Sequence, residues 1–259
     1  MTLFGSKLTK AVVVSRGRTG STAIIEELGR VPWSSSVQEI FGAEADLRYY
    51  DFPPFAFWRR KHPLLERAFT ERGLADLYLR AVERHARRKG GQALFWKLLT
   101  RHFTDHPYMV DLIAGRDYRV IHLTRGAVRQ VLSGLVATQR GLFNTREDFQ
   151  DTRAYSIDLE EFRWHVAHER DCVKNDRKFL RDNEFEFVEV DYETYISDRK
   201  LFFNRIFGFL GLPEALPETS TFKVMIDDLS VTIENYSEVC AVAAELGEPL
   251  EAKDERLRA

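Results

Sequence analysis

The sequence predicts an α/β fold of three layers: a mostly parallel central sheet with helices on both faces. Three observations carry that reading. Ala11-Val12-Val13-Val14 is a short, continuously apolar, β-branched run, the pattern of a strand buried on both faces of a parallel sheet. Strand-like and helix-like segments then alternate along the chain, which is the order of a wound α/β sheet. No Pro-, Gly- or Ser-rich linker interrupts the alternation, so a single domain is expected over residues 1–259, with a core at about 10–212 and a C-terminal helical segment and charged tail over 213–259.

The elements follow in order. After the first strand, Ser15 to Gly20 is a turn rich in Gly, Ser and Arg, and Ser21 to Leu28 is helical with Ile24, Ile25 and Leu28 on its apolar side. Three further runs predict strands: Ala93 to Trp96, Tyr118 to Leu123, and Phe185 to Val190. Helical periodicity covers Leu64 to Arg88, Val128 to Gln139, Leu159 to Leu180 and Arg199 to Leu210, the last ended by Gly211 and Pro213. From Glu248 onward the chain is mostly charged and predicts a loose tail or an exposed final turn.

Composition sets the class. With 44% hydrophobic and 30% charged residues the chain reads as an ordinary soluble globular protein, and a domain of this size buries about 75% of the surface its unfolded chain exposes, enough to fold without staples. The only cysteines, Cys172 and Cys240, lack paired metal-site spacing and read as two buried thiols in a reducing compartment. A formal net charge of -2 argues against a nucleic-acid partner, while leaving room for a local basic pocket. No run approaches the roughly 18 apolar residues of a membrane span and Met1 to Lys10 has no signal-peptide core, so a cytoplasmic protein is expected.

Two constellations carry chemistry. Ser15-Arg16-Gly17-Arg18-Thr19-Gly20-Ser21-Thr22 stands where a strand becomes a helix, and unpaired helix-start amides, close backbone approach at Gly17 and Gly20, two hydroxyls and Arg18 together suit an anion. A plain turn with a helix cap would use the same residue types. The Lys that precedes the hydroxyl pair in a nucleoside-triphosphate loop is missing, with Arg18 inside the turn instead. Arg125 ends a second strand, and Ser133 lies about two helical turns further on. Ligands of open parallel sheets bind at the carboxyl edges of the strands, so Arg125 and the first turn could share one ligand.

With these residues in view, the chain resembles sulfotransferases that use 3′-phosphoadenosine 5′-phosphosulfate (PAPS). Arg18-Thr19-Gly20-Ser21-Thr22 is similar to their 5′-phosphosulfate loop, and Arg125 with Ser133 to their 3′-phosphate motif. His122-Leu123-Thr124-Arg125 and Gln130-Val131-Leu132-Ser133 resemble bacterial carbohydrate sulfotransferases of the trehalose type. Val190-Asp191-Tyr192-Glu193 and Phe209-Leu210-Gly211-Leu212 occur in the same order, so the similarity spans roughly Ala11 to Leu212. Gly126-Ala127 replaces the Asn-Pro that often follows the 3′-phosphate Arg, a departure from the steroid and phenol enzymes. The resemblance implies a P-loop NTPase-like sulfotransferase fold and PAPS as sulfuryl donor.

It also implies roles. Transfer of a sulfuryl group to an alcohol needs a base, positive charge around the transferring group and in-line geometry. Glu39 matches the acidic residue of the trehalose-type enzymes in spacing and in the aromatic Phe41 after it, and is the expected base. Lys97, at the end of the strand Ala93 to Trp96, resembles the Lys that neutralises charge on the leaving nucleotide; Leu99 stands where many relatives carry a His. Arg18 is expected to act on the same group, Thr19, Gly20, Ser21, Thr22, Arg125 and Ser133 to bind the donor, and Lys223 to touch the nucleotide from the C-terminal segment.

No metal is expected, and His102 and His106 read as surface residues without a third ligand. A carbohydrate or other small-molecule acceptor is expected, with homodimer formation left open. The aromatic segment Tyr49 to Trp58 serves either as an acceptor lid or as packing. Competing functions are a kinase-like nucleotide-binding protein, which would need the missing Lys and a metal-binding Asp, and a PAP-binding module without catalysis.

Overall fold

The structure is a computed structural model and describes residues 7–42, 51–143, 153–222 and 229–250. Its centre is a five-stranded sheet, parallel throughout, of β1 (Thr9–Ser15), β2 (Ser34–Ser36), β3 (Ala93–Leu99), β4 (Arg119–Thr124) and β5 (Phe187–Asp191), in the order β2-β3-β1-β4-β5. The chain leaves β1 toward β3 and β2, then returns across β1 to β4 and β5. The reversal opens a crevice outside the carboxyl end of β1, where such sheets hold ligands.

Strand alternation explains the layers. Ala11 and Val13 of β1 point to one face, with Phe95, Ile121, Leu123 and Val190, and pack on α1 (Ser21–Leu28) and α10 (Arg199–Leu210). Val12 and Val14 point to the other, with Leu94, Trp96, Leu98 and Val120, against α4 (Glu71–Arg88) and α6 (Met109–Gly115). Each Val removed from water in this way contributes about 1.5–3 kcal/mol, so a one-residue slip of β1 would be heavily penalised. A third cluster joins α7 (Ala127–Arg140), the first half of α8 (Leu159–Asp182) and α12 (Tyr236–Glu245). None of the helices among the described residues is long and apolar enough to cross a membrane.

Several expected boundaries move. The helix expected over Leu64 to Arg88 is two, α3 (Pro63–Ala68) and α4, because Thr70 is extended and its hydroxyl caps α4 by accepting from the Gly73 amide. β3 continues past Trp96 to Leu99, so Lys97 lies inside a strand rather than at its end. β5 begins at Phe187, and Phe185 packs beneath the sheet. Gly211, at φ 67°, ends α10 as expected.

Short elements also appear at α2 (Phe55–Arg60), α5 (Arg101–Asp105), α9 (Tyr192–Ser197) and α11 (Leu229–Thr232). Cys172 and Cys240 are free and partly exposed, not buried as expected. Glu248, expected in a loose tail, is held firmly. Its carboxylate accepts from the Val128 amide at 3.0 Å and pairs with Arg170 at 2.7 Å, drawing the end of the described chain onto α7 and α8.

Candidate active site

The turn after β1 is built by two left-handed residues. Arg18 has φ 64° and Gly20 φ 77°, and the Thr19 hydroxyl closes the turn by donating to the Arg16 carbonyl at 3.1 Å. Gly20 admits no side chain, since a Cβ there would lie 2.3 Å from Tyr192 Cε2. A left-handed Arg is costly, by about 1–3 kcal/mol, and persists only where its surroundings hold it.

They do so here. Arg18 Nε donates to Ser133 Oγ at 3.2 Å, and its Nη1 to the Phe143 carbonyl. Arg125 Nη1 donates to the Arg18 carbonyl at 2.9 Å, while Gln130 Nε2 donates to the Gly17 carbonyl at 2.8 Å. Helix α7 and the end of β4 thus grip the carbonyls of the turn, and α1 begins without a side-chain cap, leaving the Ser21 and Thr22 amides without intrahelical acceptors.

The electrostatics of this half favour an anion. Burial, with Arg125 and Arg140 nearby, lowers Arg18 to about 10, still protonated at neutral pH. Burial likewise lowers Arg125, whose guanidinium lies 4.5 Å over the Tyr192 ring and whose Nε is buried without a hydrogen-bond partner. Among the described residues neither Arg18 nor Arg125 forms an ion pair with a carboxylate, so two adjacent half-buried cations stand without a direct counter-ion, Glu193 acting on Arg125 only from beyond ion-pair distance. Arg16, by contrast, is neutralised from α8 by Glu169 at 2.6 Å and Asp176 at 3.8 Å.

The other half lies across α1. Alternation along β3 puts Lys97 on the face of the sheet that carries Phe95 and α1, and Nζ donates to Thr22 Oγ1 at 2.9 Å. The side chain therefore turns inward instead of snorkelling from the sheet edge. Glu39 Oε2 is 3.5 Å from Lys97 Nζ, and Gln38 Nε2 reaches the Thr22 carbonyl at 3.4 Å. Burial lowers the Lys97 pKa, with Glu39 opposing the shift.

The structure thus brings Arg18, Thr19, Gly20, Ser21, Thr22, Arg125 and Ser133 to one turn, with Lys97 and Glu39 joined to it through Thr22. Lys223 lies outside the described residues, as do Tyr49 and Tyr50. Phe55 and Trp58 are buried against Phe41 and Tyr78, with Phe52 packed against the same cluster, and Asp51 pairs at the surface with Lys89 at 2.7 Å, so these three aromatics of the segment serve as packing. His102 is buried, not on the surface as expected, because the turn after β3 folds α5 back toward Glu39. His106 sits beside Glu71 at 3.3 Å. Tyr192 enters the sequence reading only within Val190-Asp191-Tyr192-Glu193, with no role at the turn, and Glu169 not at all; they act from 172 and 153 positions after Gly20 and Arg16 respectively, too far for a local signal.

A protein-family model described as the sulfotransferase family matches residues 11–217. No curated protein matches the chain. Similar solved structures include the sulfotransferase domain from the Synechococcus PCC 7002 olefin synthase, at 13% identity over 96% of this chain and 98% of that chain with a TM-score of 0.49. The sulfotransferase domain from the curacin biosynthetic pathway is 14% identical over 95% and 100%, with a TM-score of 0.48. A sulfotransferase from Alicyclobacillus acidocaldarius is 14% identical over 95% and 98%, with a TM-score of 0.45.

Proposed function

The chain belongs to the sulfotransferase family, hence to enzymes that transfer a sulfuryl group, and from that premise we propose that its donor is PAPS and its acceptor a hydroxyl of a carbohydrate or glycosylated small molecule. The observation that carries the donor assignment is the pair of half-buried guanidiniums, Arg18 and Arg125, neither in an ion pair with a carboxylate, gripping a helix-start turn with Ser133. A nucleotide with phosphate and phosphosulfate groups supplies the missing negative charge there, together with the sulfuryl group to be transferred. The carbohydrate class is supported by the resemblance to trehalose-type enzymes alone.

The chain's residues divide the work by position. Arg125 and Ser133 hold the 3′-phosphate, while the Thr19 to Thr22 backbone and hydroxyls with Arg18 hold the 5′-phosphosulfate. Lys97, kept beside Thr22, places positive charge where the leaving oxygen gains negative charge. Glu39 accepts the acceptor's hydroxyl proton, and its 3.5 Å separation from Lys97 keeps base and cation at one reaction centre. Lys223 is a further nucleotide contact in this proposal, and the protein works as one cytoplasmic domain.

Calorimetric titration with PAP, against ATP plus magnesium, tests the donor. PAP binding without ATP binding is expected; ATP binding alone would point to a kinase-like protein. E39A and K97A should retain PAP binding within about threefold yet lose at least about 100-fold in transfer from labelled PAPS across a sugar panel, the scale of a lost general base. Unchanged turnover in both would remove them from the chemistry.

A further inference from the structure

His102 comes to Glu39 from an element of its own. Its side chain is 5% exposed, Nε2 stands 3.6 Å from Glu39 Oε1, and Nδ1 is buried with no hydrogen-bond partner among the described residues. The second carboxylate oxygen, Oε2, faces Lys97. The carboxylate is thus held between an imidazole and an ammonium. Gly42 leaves room for that arrangement, since a Cβ there would come within 3.0 Å of Glu39 Oε1.

The ring's single proton has a preferred place. A buried N–H without an acceptor is costlier than an unpaired acceptor nitrogen, so the proton belongs on Nε2, directed at Glu39. The 3.6 Å separation is slightly beyond hydrogen-bond reach, as is common before a substrate tightens such contacts. We propose that His102 is a positioning residue for Glu39: its neutral Nε2–H holds one carboxylate oxygen and leaves the other turned toward Lys97 and the acceptor hydroxyl. This rests on the reading of Glu39 as the base and deepens it.

The surrounding charges bear on the ring's protonation. Burial is the largest influence and disfavours the imidazolium, as do Arg101 of α5 and the adjacent His106; Glu39 and Asp105 oppose them, and Lys97 of β3 lies beyond Glu39. A neutral ring at pH 7 follows. Protonation at acid pH would place a full cation against Glu39 and weaken it as a base, so His102 should contribute to the acid limb of kcat.

The first test needs no variant. Nitrogen-15 NMR of the full chain labelled at its 7 histidines should show His102 neutral at pH 7 as the Nε2–H tautomer, titrating below an ordinary histidine. In E39A, that midpoint should fall further. An Nδ1–H tautomer, or a midpoint indifferent to E39A, would overturn the proposal.

Kinetics with labelled PAPS then separate it from its premise, using the panel sugar that the wild type sulfates. H102L should lower kcat about tenfold, part of the usual worth of a general base, with the PAP dissociation constant unchanged within about twofold. H102Q, which keeps a donor at the Nε2 position and cannot titrate, should recover most of that kcat and lose part of the acid limb. Unaltered E39Q turnover would overturn Glu39 as base and the positioning role with it. Inactive E39Q beside fully active H102L would overturn only the role of His102, and H102Q with the wild-type acid limb would count against it even if H102L failed to fold.

Discussion

Arg125 shows how much one side chain does at this site. It donates to the Arg18 carbonyl, stacks on Tyr192, and presents a buried Nε with no partner, so it both shapes the turn and offers a charged donor. R125A should weaken PAP binding by roughly 1.5–3 kcal/mol, the scale of a charge-assisted hydrogen bond, or about 10- to 150-fold by calorimetry. Unchanged affinity would remove it from the site. Gly20 is constrained differently. At φ 77°, with Tyr192 against its Cα, G20A must shift either the ring or the turn, and a loss of about 1–3 kcal/mol in stability is expected from thermal melts, together with weaker PAP binding. A neutral G20A would show that the turn tolerates another path.

Those two residues were legible because their types are unusual in place: Gly and Arg in a turn after a buried strand, Arg at the end of another. His102 was not, since a histidine five positions beyond Lys97 carries no sign of the fold that turns it inward.

At the scale of elements, the phosphate-side turn is held by a helix far away in sequence. Glu169 of α8 takes Arg16 at 2.6 Å and also accepts from Gln130 Nε2 at 2.8 Å, while the same Gln130 nitrogen holds the Gly17 carbonyl. One carboxylate therefore ties α7, α8 and the turn together. E169A should leave Arg16 with the more distant Asp176 and the Thr100 hydroxyl at 3.4 Å, destabilise the protein by about 1–3 kcal/mol and weaken PAP binding several-fold without contacting the nucleotide. E169Q, which keeps an acceptor, should sit between the two; equal affinity in all three would show that the turn is self-supporting.

Elements were readable in proportion to their apolar pattern. β1, β4, α7 and α10 carry continuous or periodic apolar residues and appear within a few positions of expectation. β2 is Ser34-Ser35-Ser36, a strand defined by pairing with β3 rather than by any hydrophobic signal. The break between α3 and α4 turns on one capping hydroxyl, Thr70, inside an otherwise helical pattern.

The whole molecule's response to acid follows from groups buried in different layers. His85, His102 and His122 all have pKa values lowered from 6.5, chiefly by burial. As pH falls through 6.5 the unfolded chain takes up protons that the folded protein resists, so stability present above that pH is progressively lost, by up to about 1.4 kcal/mol per pH unit for each proton difference. Asp176 acts with the opposite sign. Burial raises it from 3.8 to about 6 despite Arg16, so between those values the folded state binds a proton that the unfolded chain does not, and stability is gained on acidification.

Among the described residues these three histidines oppose Asp176, and the histidine effect begins at the higher pH. Glu189, lowered chiefly by its hydrogen bonds from Arg177, adds to the loss below 4.5. The melting temperature should therefore fall between pH 7 and 5. D176N removes that opposing site; it should melt higher than the wild type at pH 7, where a buried charge has been removed, and lose stability more steeply between pH 6 and 4. A flat D176N profile from pH 7 to 5 would mean that the three histidines protonate as readily in the folded protein as in the unfolded chain. A D176N profile parallel to the wild type would leave Asp176 ionised throughout, held by Arg16 more strongly than burial opposes it.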